Sequence, residues 1–254
     1  MIGAAFRDAL DILNRNWLKI IGMVLLIYIV KLLMGTLPIQ GTIILRFDPL
    51  AMVTSESLRT LIVRALTNGI LFFILIQYIT LTKQTMRGRL VTAITYPFRH
   101  PRLLYKGTIV LFLTNIILYF FWMLILYTGL GGTLIYAGGL SVRSGFVILV
   151  IVLLYVLLFW LFAGISQALY LLHDDPKLST FRSIKESFSL MKGSRWSLLG
   201  LFVLTGLGLI IGMYLFIVGA IFTLVLYEVV RLAFYQELLR RKRQREWQDK
   251  LEEE

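Results

Sequence analysis

Six apolar stretches dominate the chain, at about 17–37, 61–82, 107–128, 145–172, 197–213 and 216–238. Each is close to the ~20 residues with which a helix crosses the hydrocarbon core of a bilayer. Backbone polar groups in hydrocarbon must be satisfied internally, so such stretches commit the chain to helices. The Lys and Arg residues then give the crossings a direction. Of 26, 21 fall in four segments on one side: Arg7, Arg15 and Lys19; Lys83 to Lys106; Lys177 to Arg195; and the tail from Arg231 onward. The opposite loops hold only Arg46, Arg59 and Arg143, while Lys31 and Arg64 lie within apolar stretches. By the positive-inside rule the basic side is cytoplasmic. The expected fold is all-α: a polytopic membrane protein with six transmembrane helices in three hairpins, amphipathic cytoplasmic connecting helices and both termini in the cytoplasm. Residues 1–238 make the six-span domain and 239–254 a basic cytoplasmic tail.

With 58% hydrophobic and 16% charged residues, little polar material is left for a soluble domain beside the spans. The net charge of +12 would suggest nucleic acid in a soluble protein. Here it is divided among short juxtamembrane loops and one tail, which points to anionic lipid headgroups and away from nucleic acid. The absence of Cys excludes disulfides, thiolate nucleophiles and Cys metal sites. No Ala-x-Ala-like site follows the first apolar stretch near 36–40, so that stretch reads as a retained span.

The basic segments divide the chain into three similar units, 1–82, 83–172 and 173–254, each feeding a pair of spans. In 179–192, Phe181, Ile184, Phe188 and Met191 recur at helical spacing, with Arg182, Ser183, Lys185, Glu186, Ser187 and Lys192 on the remaining surface. Ser179 is placed to cap the start and Gly193 the end. The first unit sets Ile2, Phe6, Ala9, Leu10 and Leu13 against Arg7, Asp8, Asp11 and Arg15. Trp17, Arg195 and Trp196 then sit where cation and indole anchor a span at headgroup level. In the middle unit Pro97 and Pro101 permit only broken helix. On the opposite side, 38–60 reads as a surface-lying or re-entrant loop, the Gly-rich 129–144 as a flexible loop, and the link between the last two stretches as a tight turn. Gly208 and Gly212 form a small-residue face for close helix approach.

The runs Tyr170-Leu171-Leu172-His173-Asp174-Asp175-Pro176, Leu190-Met191-Lys192-Gly193-Ser194-Arg195-Trp196 and Phe234-Tyr235-Gln236-Glu237-Leu238 resemble the bacterial integral-membrane family catalogued as domain of unknown function 975. Arg87-Gly88 and Phe98 match its second unit more loosely. The family is distantly similar to the membrane domain of some glycerophosphodiester phosphodiesterases. The resemblance implies a six-span helical fold and no established activity. Where the family places a Pro-Tyr pair midway through the final span, this chain reads Val225-Leu226-Tyr227.

Catalysis is poorly provided for. Only His100 and His173 are present, with Asp174 and Asp175 as the one acidic pair in their loops, and no serine has an identifiable base. The expectation is a non-enzymatic protein without cofactor or metal. A charge in hydrocarbon costs several kcal/mol unless paired, hydrated or snorkelled. Four ionisable residues within spans are therefore singled out: Lys31, Arg64, Glu228 and Arg231. Lys31 and Arg64 lie toward outer ends, where snorkelling suffices. Glu228 and Arg231, three residues apart near the inner third of the sixth stretch, can pair on one face. Asn68, Gln77, Asn115 and Gln167 either complete a polar interior or bond between helices. Headgroup contacts are assigned to Trp17, Arg195, Trp196, Arg240, Arg241, Lys242, Arg243 and Arg245. These features favour an accessory or scaffold protein that engages membrane lipids or partner membrane proteins, or that forms a homo-oligomer. The alternative is a small transporter or a factor for export or tolerance of membrane-active compounds.

Overall fold

The computed structural model describes residues 1–14, 16–36, 55–82, 89–138, 142–214 and 218–252. These form α1 (Ile2–Asn14), α2 (Trp17–Thr36), α3 (Ser55–Thr82), α4 (Arg89–Arg99), α5 (Pro101–Gly138), α6 (Val142–Ile165), α7 (Ala168–Asp174), α8 (Thr180–Leu190), α9 (Arg195–Tyr214) and α10 (Val218–Glu252). The protein is all-helical, with no strand among the described residues. Five segments are long and apolar enough to cross a membrane: Leu61–Thr82, Pro101–Ile125, Gly145–Asp174, Arg195–Tyr214 and Gly219–Gln248. A sixth is reached if α1 and α2, bent by 102° from each other, are taken together.

α1 turns sharply from α2 and packs along α10. Its buried stripe is Ala5, Ala9 and Leu13, while Leu10 is half exposed. Of the face expected from Ile2, Phe6, Ala9, Leu10 and Leu13, Ala9 and Leu13 are buried and Phe6 packs on the core, while Leu10 turns out and Ala5 takes its place. Two alanines one turn apart let the α10 backbone come close, and tight approach, not side-chain size, decides which face is covered. Asp8 and Arg240 fasten the contact at 2.9 Å.

α8 departs from expectation in the same way. Phe181 is 88% exposed, whereas Ser183 and Ser187 are fully buried. Of the expected apolar face, Ile184 and Phe188 are partly covered and Met191 is fully buried, so only Phe181 stands outside the packing. Ser183 turns its hydroxyl back to the Thr180 carbonyl of its own helix at 2.8 Å, while Ser187 is drawn inward because the apolar run 145–172 is not one continuous helix. It breaks at Ser166 and Gln167, between α6 and α7. The Ser187 hydroxyl donates to the Gly164 carbonyl and accepts from the Gln167 amide at 3.2 Å, so it supplies partners that the interrupted ladder lacks.

The ends follow local chemistry. Pro101 opens α5, and His100 separates it from α4. Asp175, extended before Pro176, ends α7. Ser179 Oγ accepts from the Arg182 amide at 3.3 Å, and Gly193 takes the left-handed φ of +79° that lets the chain turn into α9. The glycines at 129–138 lie inside α5, so the flexible loop expected at 129–144 is corrected. Glycine is tolerated more readily in apolar helices, where water does not compete for the backbone. Of the loop expected at 38–60, residues 55–60 belong to α3, while 38–54, Arg87-Gly88 and 215–217, where the tight turn is expected, lie outside the described residues.

The main core joins α1, α2, α3, α9 and α10 with Tyr170 and Leu171 of α7. A smaller cluster of Phe73, Leu103, Val110, Ile165, Ala168, Leu169 and Leu172 joins α3, α5, α6 and α7. α3 is the central helix: half of its best apolar window is buried, against 6% for those of Pro101–Ile125 and Gly145–Asp174. Both cores lie toward the basic end, away from which α5 and α6 present apolar side chains outward. α9 and α10 lie closest where Gly212 meets the Gly219 and Ala220 backbone, and Thr223 donates to the Gly208 carbonyl at 3.2 Å. α10 continues unbroken through 239–252, so the basic tail extends the helix of the sixth apolar stretch.

Candidate functional site

Glu228 lies ten residues into α10, about 15 Å from Val218 at 1.5 Å per residue. That places it midway along the apolar stretch, with Arg231 one turn nearer the basic end. α10 turns Val225, Val229 and Leu232 toward the core, and this carries Glu228 inward, where it is 9% exposed. The Tyr28 hydroxyl of α2 donates to Glu228 Oε1 at 3.1 Å. Arg231 stands one turn along, its Nη1 4.0 Å from Oε2, at the limit of an ion pair. Its guanidinium lies over the rings of Tyr227 at 5.4 Å and Tyr170 at 5.8 Å. Lys31 turns its ammonium over the Tyr28 ring at 4.9 Å, back toward the cluster and not out along the helix. One carboxylate thus serves two cations among the aromatic faces of three helices, α2, α7 and α10. The formal charge is +1, and the ring faces of Tyr28, Tyr170 and Tyr227 provide the remaining cation stabilisation.

Tyr170 links this cluster to a second. Its ring stacks on Tyr235 at 5.1 Å, and the Tyr235 hydroxyl donates to Asp174 Oδ2 at 2.6 Å. His173 Nδ1 is 3.5 Å from the other Asp174 oxygen, and its Nε2 is 2.9 Å from Gln77 Oε1. An amide oxygen only accepts, so His173 carries a hydrogen on Nε2. Tyr96 packs between His173 and His100, with ring centroids 5.5 and 4.7 Å away. Burial, and then the Asp174 carboxylate, raise its phenol above the ordinary range and keep it neutral. Among the described residues no three His, Asp or Glu side chains converge as metal ligands would.

The other sequence candidates are dispersed. Gln167 is 3% exposed at the α6–α7 break, its Nε2 3.1 Å from Ser166 Oγ and its Oε1 without a partner among the described residues. Asn115 is half-buried on α5, with its Nδ2 likewise unpartnered. Arg64 is exposed and Asn68 half-buried on α3. None of these four joins the Glu228 cluster through a described contact.

The residues assigned to headgroups divide into three kinds. Trp196 is 80% exposed, and Trp17 is exposed as well. Arg195 folds over the Trp160 indole at 4.3 Å. In the tail, Arg240 is held by Asp8, Arg241 by Glu237 at 3.0 Å, and Lys242 by Glu246 at 3.8 Å. Arg243 and Arg245 have no carboxylate within ion-pair distance among the described residues.

Sequence reasoning did not assign Tyr28, Tyr170, Tyr227 and Tyr235 to the site. Tyr28 precedes Lys31 by one turn, and Tyr227 is adjacent to Glu228, so two of these lay within sight of the charges. Tyr170 and Tyr235 are 65 residues apart, and no local pattern announces their stacking. No family model, curated protein or solved structure matches this chain.

Proposed function

We propose that this chain is a non-enzymatic protein of the bacterial inner membrane, with six spans in three hairpins, whose basic end faces the cytoplasm and engages anionic lipid or partner membrane proteins. The observation that carries the reading is the surface of that end. Phe181 and Trp196 stand 88% and 80% exposed beside Lys185, Lys192 and Arg195. Apolar rings and cations together suit a headgroup layer, where the ring enters the acyl boundary and the cation stays with phosphate. The amphipathic α1, turned by 102° from α2, lies at the same end. The likeness to the domain of unknown function 975 agrees with this proposal and adds no activity.

Purification in native lipid, followed by identification of what co-purifies, tests it. Enrichment of anionic phospholipid over bulk membrane, or a stoichiometric membrane-protein partner, is expected. Bulk lipid composition with no partner would overturn the reading. A second reading, a small transporter, is favoured by the Glu228 cluster, since ionisable groups at mid-span mark substrate and ion pathways. For that reading, E228Q at normal expression must abolish any cellular phenotype.

A further inference from the structure

Between the α7–α8 turn and α10 the basic end holds a groove of about 650 Å³. That is within the range of small-ligand sites, roughly 300–1,000 Å³. Two helix faces confront each other across it. Ser179, Arg182 and Glu186 line one at helical spacing, and Tyr235, Leu239, Lys242 and Arg243 line the other. Leu171, Leu178 and Leu239 give it an apolar floor, and Asp174, Asp175 and Lys177 line it from the end of α7 and the turn that follows.

The cations around the groove are not equivalent. Arg182 is bound to Glu186 at 3.0 Å, and Lys242 lies 3.8 Å from Glu246. Asp174 is engaged by Tyr235 and His173. Lys177 and Arg243 have no carboxylate within ion-pair distance among the described residues, and they come from different elements. The turn that carries Lys177 is held in place. Lys106 Nζ donates to the Pro176 carbonyl at 2.8 Å and to that of Leu178 at 2.6 Å, and the Lys177 amide donates to Asp175 Oδ1 at 3.0 Å. Little ordering would remain to oppose a ligand. Tyr235 lies 17 residues from Val218, about 26 Å along α10, so the groove opens where a ~30 Å hydrocarbon core gives way to headgroups.

We infer that this groove binds a phosphate ester, held between Lys177 and Arg243, and that its source is the headgroup of an inner-leaflet anionic phospholipid whose glycerol rests on the leucine floor. The inference deepens the lipid-engaging reading above and rests on it.

Thermal unfolding of the purified full chain in neutral detergent with phosphatidylcholine provides the test, with phosphatidylglycerol or glycerol 1-phosphate added. Phosphatidylglycerol should raise the midpoint saturably. In K177Q/R243Q its half-saturating concentration should rise at least about tenfold, as expected for loss of charged hydrogen bonds. K177R/R243K, which keeps both charges, should stay near the native value. If the double Gln variant is not recovered folded, K177Q alone serves, because the Lys177 ammonium has no carboxylate to lose. An unchanged titration in the Gln variants would overturn the groove and leave general lipid engagement standing. No preference for phosphatidylglycerol over phosphatidylcholine in the native chain would overturn both. Saturation by glycerol 1-phosphate at concentrations equal to those of the lipid, lost in K177Q/R243Q, would support the phosphate site and overturn the lipid as its source.

Discussion

Glu228 carries the charge balance of the buried cluster, and replacing it by Gln changes little else. Gln keeps an oxygen for the Tyr28 hydroxyl and nearly the same volume, so the lost quantity is one negative charge. The formal charge of Lys31, Glu228 and Arg231 goes from +1 to +2. Removing one partner of a buried pair costs roughly 3–5 kcal/mol. Here the separation is 4.0 Å, at the limit of an ion pair, and the Tyr170 and Tyr227 rings share the Arg231 cation, so the expected loss is about 2–3 kcal/mol. By the relation for chains of this size, about 2–4 °C per kcal/mol, the unfolding midpoint should fall about 4–12 °C. Tyr28→Phe removes only the 3.1 Å hydrogen bond. Interhelical bonds in membranes average about 0.6 kcal/mol, so that variant should fall only about 1–3 °C. The sign of a third change separates charge from shape. In the Glu228→Gln background, Lys31→Gln returns the cluster to +1 and should recover part of the loss. Thermal unfolding of the four chains in one detergent decides it. If Glu228→Gln is as stable as the native protein, or if Lys31→Gln deepens its loss, the electrostatic account of the cluster is wrong.

Gly212→Leu should splay α9 from α10 and lower the midpoint by more than 5 °C, because even a Cβ there would lie 2.5 Å from the Gly219 backbone; Gly206→Ala, which meets nothing within 4 Å, should be neutral in the same assay. Ser187→Ala removes both bonds at the α6–α7 break and should cost about 1–3 kcal/mol, seen as a lower midpoint and faster amide exchange at Gln167. Lys185→Cys, in a chain without native Cys, should react with membrane-impermeant maleimide only after the cell is opened; efficient labelling of intact cells would invert the proposed orientation.

The helical class and the candidate spans were legible because the signal is length and apolarity, which tertiary contacts scarcely modify. The caps were legible for a similar reason: Ser179 and Gly193 act on their own neighbours. The two amphipathic faces were read wrongly at Ser183, Ser187 and Leu10. Hydrophobicity ranks a serine as outward, but a neighbouring helix that has broken its ladder needs a hydroxyl, and a closely approaching helix needs an alanine. Neither need is written in the segment itself. Glu228 and Arg231 were found because charge inside apolar sequence is conspicuous. Their aromatic partners were not, since tyrosine is ordinary in membrane helices and acquires its role only through the long-range pairing of α2, α7 and α10.

The fastening of Asp8 to Arg240 also sets an order of events in synthesis. The two residues are 232 positions apart. At about 5–20 residues per second, the partner surface for α1 emerges roughly 10–50 s after α1 itself. For that interval the stripe of Ala5, Ala9 and Leu13 has no α10 to cover it, and the bilayer surface is the apolar phase at hand. α1 therefore exchanges a lipid contact for a protein contact late in assembly. The closing step of the fold takes place at the membrane boundary, after the spans between the two helices have been made.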